Sequence, residues 1–202
     1  MNITQLFPYP LGRSKLKRSF TQKEKDFFNS TLVVNSGTNK KSNDNYILNN
    51  PELKDIHDFI MSELDDYLKN TNPVSKDGPF PYITQSWLNF CGPGESHHLH
   101  RHFNSLISGV LYIQANIKND SIFFARPIEK TPVIDYNVGI DTDYNSIFKY
   151  VPVDVGTLIF FPSTLGHGVA PTIGNYTRVS LAFNVFFKGT LTTADKLTEL
   201  KL

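Results

Sequence analysis

Arg178-Val179-Ser180-Leu181-Ala182-Phe183-Asn184-Val185 alternates without a break. Successive side chains of a strand point to opposite faces. Val179, Leu181, Phe183 and Val185 therefore share one face, and Arg178, Ser180, Ala182 and Asn184 share the other. A solvent-facing set would usually carry Lys, Glu and Thr. One Arg among small polar residues reads instead as the lining of a cavity.

The texture around this strand extends the reading. Short apolar, β-branched and aromatic runs at 83–90, 107–115, 121–125, 147–151, 157–161 and 177–187 are separated by Gly, Pro, Asn and Asp. Many short strands with turn signals point to a sandwich, a barrel or a jelly roll. The chain before Pro81 reads helical. Thr21 and Glu24 form a capping box ahead of Phe27, Phe28 and Leu32. Residues 36–50 are polar and read as a loop. Asn50-Pro51 then opens a helix whose Leu53, Ile56, Ile60, Leu64 and Leu68 make one apolar stripe. Turn signals fill 70–81, and 126–145 reads as a long polar loop over one end of the β-region. Helices first and strands after give a mainly β, α+β fold. One domain is expected over 1–202, with 1–81 as helical support and 82–190 as the β-core.

Composition narrows the classes. The chain has 202 residues, 40% apolar and 19% charged, which is ordinary for a globular protein. Its net charge of +1 argues against a nucleic-acid or membrane-surface footprint. The basic run Arg13, Lys15, Lys17, Arg18 reads as a solvated arm. Cys91 is the single cysteine, so no internal disulfide forms and a reducing cytoplasmic setting fits. No apolar run reaches membrane-spanning length, and with no apolar h-region after Met1 a secretory signal is not expected. The sequons at Asn2 and Asn175 then read as chance.

Five of the six histidines fall in two short stretches: His97, His98, His100 and His102, and far downstream His167. Imidazoles at i and i+2 of a strand share a face, and a third from a distant strand closes a metal site. Neutral imidazole suits Fe, Zn, Cu and Ni, and a facial set with open positions suits non-haem iron oxygenases. The usual set is two histidines and one carboxylate, whereas position 102 is His. Either His100, His102 and His167 are the ligands, or His102 stands aside and His97, His98 or Glu95 contributes. His97 and His98 otherwise read as loop residues at the mouth, and His57 as structural or exposed. Cys91 reads as a strand filler and Trp87 as core.

A set of motifs resembles a known family. Pro93-Gly94 precedes His100-Arg-His102-Phe-Asn104-Ser105 and Ser108-Gly109-Val110-Leu-Tyr112. Gly156-Thr-Leu-Ile-Phe-Phe161-Pro162-Ser163, His167 and Arg178-Val-Ser180-Leu-Ala-Phe183-Asn184 follow. Leu6-Phe7-Pro8-Tyr-Pro10 and Ser86-Trp87-Leu-Asn89 fit the same pattern. The resemblance is to the 2-oxoglutarate/Fe(II)-dependent oxygenases of phages and bacteria, a little-characterised group within the prolyl-hydroxylase-like superfamily. It is most specific from Ser86 to Asn184.

The resemblance implies a double-stranded β-helix, the jelly-roll or cupin-like barrel, buttressed by the N-terminal helices. It implies Fe(II) on His100, His102 and His167, with 2-oxoglutarate chelating the metal. The far carboxylate of that co-substrate would meet Arg178, Ser180 and Tyr112. Substrate hydroxylation by O2 would release succinate and CO2. The substrate would be a small molecule or a protein side chain, in the cytoplasm of the cell or of a phage host. An exposed strand edge leaves room for a homodimer. Two further readings stand beside this one. A cupin-like three-histidine metal dioxygenase or isomerase gives Arg178 and Ser180 no task. A non-enzymatic phage jelly-roll module leaves the histidines unexplained.

Overall fold

Alternation along the strands separates two cores, and that separation builds the fold. The computed structural model describes residues 1–75, 78–127 and 139–202. Its strands are β1 (Gly12–Lys15), β2 (Val33–Ser36), β3 (Asn39–Ser42), β4 (Phe80–Cys91), β5 (His97–His100), β6 (Ile107–Gln114), β7 (Ser121–Ala125), β8 (Phe148–Pro152), β9 (Thr157–Pro162), β10 (His167–Val169), β11 (Arg178–Lys188), β12 (Thr190–Leu191) and β13 (Leu200–Lys201). The helices are α1 (Gln22–Ser30) and α2 (Lys54–Thr71). Seven strands form an antiparallel sheet in the order β1-β9-β6-β11-β4-β3-β2. Four more form a second sheet, β5-β10-β7-β8, and β12-β13 is a small separate pair.

Strand β9 shows how the layers divide. Leu158 and Phe160 point to the helices, while Ile159 and Phe161 point between the sheets. The helix side is the larger core. Ile56, Ile60, Leu64 and Leu68 of α2, with Leu53 just before it, pack against Leu88, Leu111, Leu181 and Val185. Tyr67 stacks on Phe160 with ring centres 5.5 Å apart. Between the sheets, Tyr112, Ile159 and Phe161 meet Ile122 and Phe124. Two curved antiparallel sheets packed face to face are the expected jelly roll, and the helices cover only the large sheet. Gly109 pairs with Phe183, whose ring crosses it so closely that a Cβ there would lie 2.2 Å from Phe183 Cζ. Glycine at 109 is therefore a packing requirement.

The alternation expected of β11 is present. Val179, Leu181, Phe183 and Val185 join the helix-side core. The capping box also forms: Glu24 N–H donates to Thr21 Oγ1 at 3.2 Å and Thr21 N–H to Glu24 Oε2 at 2.7 Å. Arg18 closes on the same carboxylate through both of its terminal nitrogens.

Four expectations need correction. The N-terminal third is not purely helical, because β1, β2 and β3 complete the large sheet. The expected loop at 36–50 contains β3, a strand of Asn, Lys and Ser held by pairing with β4 rather than by propensity. Leu32 is exposed instead of packed. A 3-10 turn, Pro51–Leu53, intervenes before α2 starts at Lys54. The expected loop over 126–145 lies partly outside the described residues. Among the described residues no helix is long and apolar enough to cross a membrane.

Candidate metal centre

Two strands of the smaller sheet, β5 and β10, bring His100 and His167 side by side. His167 opens β10 and pairs with His100 of β5 on one side and Phe124 of β7 on the other. His102 lies two residues beyond the end of β5, so the simple i, i+2 strand relation does not hold. Its position comes from its own N–H, which donates to the Ser163 carbonyl at 3.1 Å. Ser163 is fixed in turn. Its hydroxyl bonds those of Ser105 at 2.7 Å and Ser108 at 2.8 Å, and Ser108 donates to Asn184 Oδ1 at 2.8 Å. This buried hydroxyl network ties the ends of β6, β9 and β11 to the loop that carries His102.

The three imidazoles converge. Ring centres lie 4.3 Å apart for His100–His167, 4.9 Å for His100–His102 and 5.1 Å for His102–His167. One nitrogen from each lies within 4.8 Å of the others. His100 Nδ1 sits 2.8 Å from the His98 carbonyl and His167 Nδ1 3.0 Å from the Leu165 carbonyl. A carbonyl requires an N–H, so in both rings Nδ1 carries the proton and Nε2 keeps its lone pair. Burial disfavours the charged rings. It pushes His167 down to about 3 and His102 to about 4, and it lowers His100 as well. Three neutral imidazoles, two of them with the tautomer fixed by a backbone carbonyl, are what a transition metal needs.

His97 departs from its expected place on a mouth loop. It is the first residue of β5, half-buried, and stacks on His100 with centres 4.5 Å apart and planes 16° apart. A register shift between the His167–His100 and Val169–His97 pairs brings the two rings to the same side. His97, His98 and His100 also have nitrogens within mutual reach. His98 of that set is exposed, whereas His100, His102 and His167 all line one cavity and their ring planes cross at 38–89°. The Glu95 carboxylate is engaged by the Gly92 N–H at 2.8 Å. Trp87 is not core: it is half-buried beside His102, with ring centres 5.8 Å apart.

The cavity in front of the histidines is closed on the far side by the large sheet. Tyr112 of β6 and Arg178 and Ser180 of β11 line it, together with His100, His102 and His167. All six expected site residues therefore share one cavity. Arg178 is buried and already held. It donates to Asp120 Oδ1 at 3.0 Å and twice to the Ala170 carbonyl at 3.2 Å. Asp120 also accepts from Tyr176 Oη at 2.7 Å and the Asn116 N–H at 2.8 Å. Sequence reasoning missed Asp120 and Tyr176, because Asn119-Asp120-Ser121 reads as an ordinary turn before β7. The Tyr112 hydroxyl is buried without any hydrogen-bond partner, and burial raises its pKa.

The jelly-roll barrel thus carries three converging imidazoles at one wall of the cavity and an Arg at the other. Residues 85–184, about half of the chain, match the family model described as "Putative 2OG-Fe(II) oxygenase". Solved structures share the fold. An oxidoreductase of the 2OG-Fe(II) oxygenase family from Burkholderia pseudomallei is 13% identical, with 86% of this chain and 84% of that one covered and a TM-score of 0.56. HygX from Streptomyces hygroscopicus, with nickel and 2-oxoglutarate bound, is 12% identical over 86% and 82%, with a TM-score of 0.55. The α-ketoglutarate-dependent carbocyclase SnoK of nogalamycin biosynthesis is 12% identical over 89% and 81%, also at 0.55. No curated protein matches the sequence.

Proposed function

We propose that the chain is a non-haem Fe(II)- and 2-oxoglutarate-dependent dioxygenase that hydroxylates its substrate with release of succinate and CO2. One observation carries this reading. A single cavity holds three neutral, converging imidazoles at one wall and, at the other, Arg178 with the orphaned Tyr112 hydroxyl. A buried hydroxyl without a partner is costly, so its retention fits a polar ligand that completes it.

In this reading His100, His102 and His167 hold Fe(II) through three neutral nitrogens. The iron, chelated by the keto acid, supplies the oxygen-activating chemistry. The residues opposite select the co-substrate. The Arg178 guanidinium offers a planar donor edge to the far carboxylate, and Tyr112 and Ser180 add hydroxyl donors. Phe161 packs on His167 with ring centres 4.5 Å apart, and with Tyr112 and Ile122 it keeps the inner end of the cavity dry.

The substrate would approach along a neighbouring groove of about 660 Å³, within the range of small-molecule sites. Leu6 and Tyr9 of the N-terminal segment, Tyr144 and Lys149 line it. Phe124 and Leu165 do so too, and Phe124 also borders His167. Its mixed aromatic and charged lining suits a small molecule or a side chain.

The test is anaerobic: Fe(II) is added, then 2-oxoglutarate, and the visible metal-to-ligand charge-transfer band is recorded. The expected result is a saturable band that is lost when His167 is changed to Ala. Iron binding without a band would instead favour the three-histidine reading that makes no use of 2-oxoglutarate. Arg178's existing pairing with Asp120 is the observation that keeps that second reading in view.

A further inference from the structure

Among the described residues two carboxylates are buried, Glu24 and Asp120. Glu24 caps α1. Asp120 caps no helix, although it accepts the Asn116 N–H within its own turn. It stands behind Arg178, outside the cavity lining, and accepts from Arg178, Tyr176 and the Asn116 N–H. Both partners of the Asp120–Arg178 pair are almost fully shielded from water, with side chains 0% and 3% exposed. Buried ion pairs of this kind are rarely kept for stability, because desolvating two charges cancels much of their attraction.

Charge bookkeeping gives the pair a task. In the usual two-histidine, one-carboxylate set the carboxylate offsets one charge of the metal. Here position 102 is His, and all three imidazoles are neutral. In a loaded cavity the two charges of Fe(II) balance those of the 2-oxoglutarate dianion. Arg178 is then left over. An uncompensated buried cation is costly, and Asp120 is the group that compensates it.

We propose that Asp120 carries the negative charge that His102 leaves out of the metal centre, moved from the ligand set to the far wall, where it also aims Arg178. This inference rests on the function proposed above. Its consequence is counter-intuitive. Restoring the usual ligand by His102→Asp puts one negative charge too many into the site. A unit charge acting over about 10 Å at an effective dielectric near 20 shifts an ion's affinity roughly tenfold or more.

The experiment is calorimetric titration of 2-oxoglutarate into Fe(II)-loaded protein without oxygen, for the wild type, His102→Asp, Asp120→Asn and the double variant. Iron affinity is measured separately on each. His102→Asp should bind 2-oxoglutarate about tenfold more weakly, and adding Asp120→Asn should restore it. Asp120→Asn alone keeps an acceptor for Arg178. It should weaken iron binding without 2-oxoglutarate, while 2-oxoglutarate binds the loaded protein at least as tightly. A scaffold role cannot give that reversal of sign. If Asp120→Asn weakens 2-oxoglutarate binding equally in both backgrounds, Asp120 is scaffold only and the proposal is overturned. If Asp120→Asn fails to fold, His102→Asp alone decides: unchanged or tighter 2-oxoglutarate binding overturns the proposal. A wild type that binds iron but no 2-oxoglutarate overturns the proposed function, and this inference with it.

Discussion

Replacing Tyr112 by Phe removes a single oxygen atom from the structure. That oxygen is buried and without a partner, in a cavity shared with Arg178 and the three histidines. Leaving a buried hydroxyl unsatisfied costs about 1–3 kcal/mol. The ligand-free Phe variant should therefore be more stable than the wild type by that order. For a chain of this size the gain corresponds to a rise of about 2–12 °C in melting temperature. The same oxygen should donate to a carboxylate of bound 2-oxoglutarate. A hydrogen bond to a charged acceptor is worth about 1.5–3 kcal/mol, so affinity should fall about 10- to 150-fold. Thermal unfolding of the metal-free proteins and anaerobic titration of the iron-loaded ones measure the two effects. Gained stability with lost affinity is the signature of a residue strained for binding. A lower melting temperature of the ligand-free variant, or an unchanged 2-oxoglutarate affinity, would refute the reasoning.

Three further outcomes are expected. The metal-free protein should weaken in acid. His167 and His102 are held down to about 3 and about 4 by burial, so the unfolded chain binds more protons below its own pKa near 6.5. Their contribution is complete above that value and is lost as pH falls toward the folded values. The loss is on the order of 3 kcal/mol at pH 4 once the part-exposure of His102 is discounted, read from urea midpoints across pH. Gly168→Ala would set a Cβ 2.6 Å from Phe123 Cζ and 2.9 Å from the His97 carbonyl. It should displace β5 from β10, costing about 1–3 kcal/mol, and should weaken iron binding by titration more than it lowers the melting temperature. Ser163→Ala would cut both hydroxyl bonds to Ser105 and Ser108. A cost of about 1–3 kcal/mol in urea unfolding is expected, with looser iron binding through the freed His102 loop.

Much of this was legible in the chain. The stripe on α2 and the alternation of β11 could be read because a side chain's face follows from 3.6- and 2-residue periods alone. The histidines could be singled out because H-x-H with a distant third His is chemically unusual. Strands β2 and β3 were not legible, since Asn39–Ser42 is held by pairing along the edge of β4 and Val33–Ser36 by pairing with β3, rather than by local preference. The stacking of His97 was hidden for a related reason. It depends on a register shift against β10, and pairing register is set by the partner strand.

By itself the sequence determined which residue types could bind metal and anion and where six of the longer strands run, though not the short strands β5 and β10 that carry His100 and His167. These are properties of residue type and local period. The tertiary structure alone decided that His102 reaches the other two imidazoles from beyond its strand. It alone decided that the Tyr112 hydroxyl is orphaned and that Arg178 is shared with Asp120. His102 and His167 are 65 residues apart, Arg178 and Asp120 are 58 apart, and the Tyr112 hydroxyl faces a void between two sheets. Such distances close only when both sheets have folded onto one another.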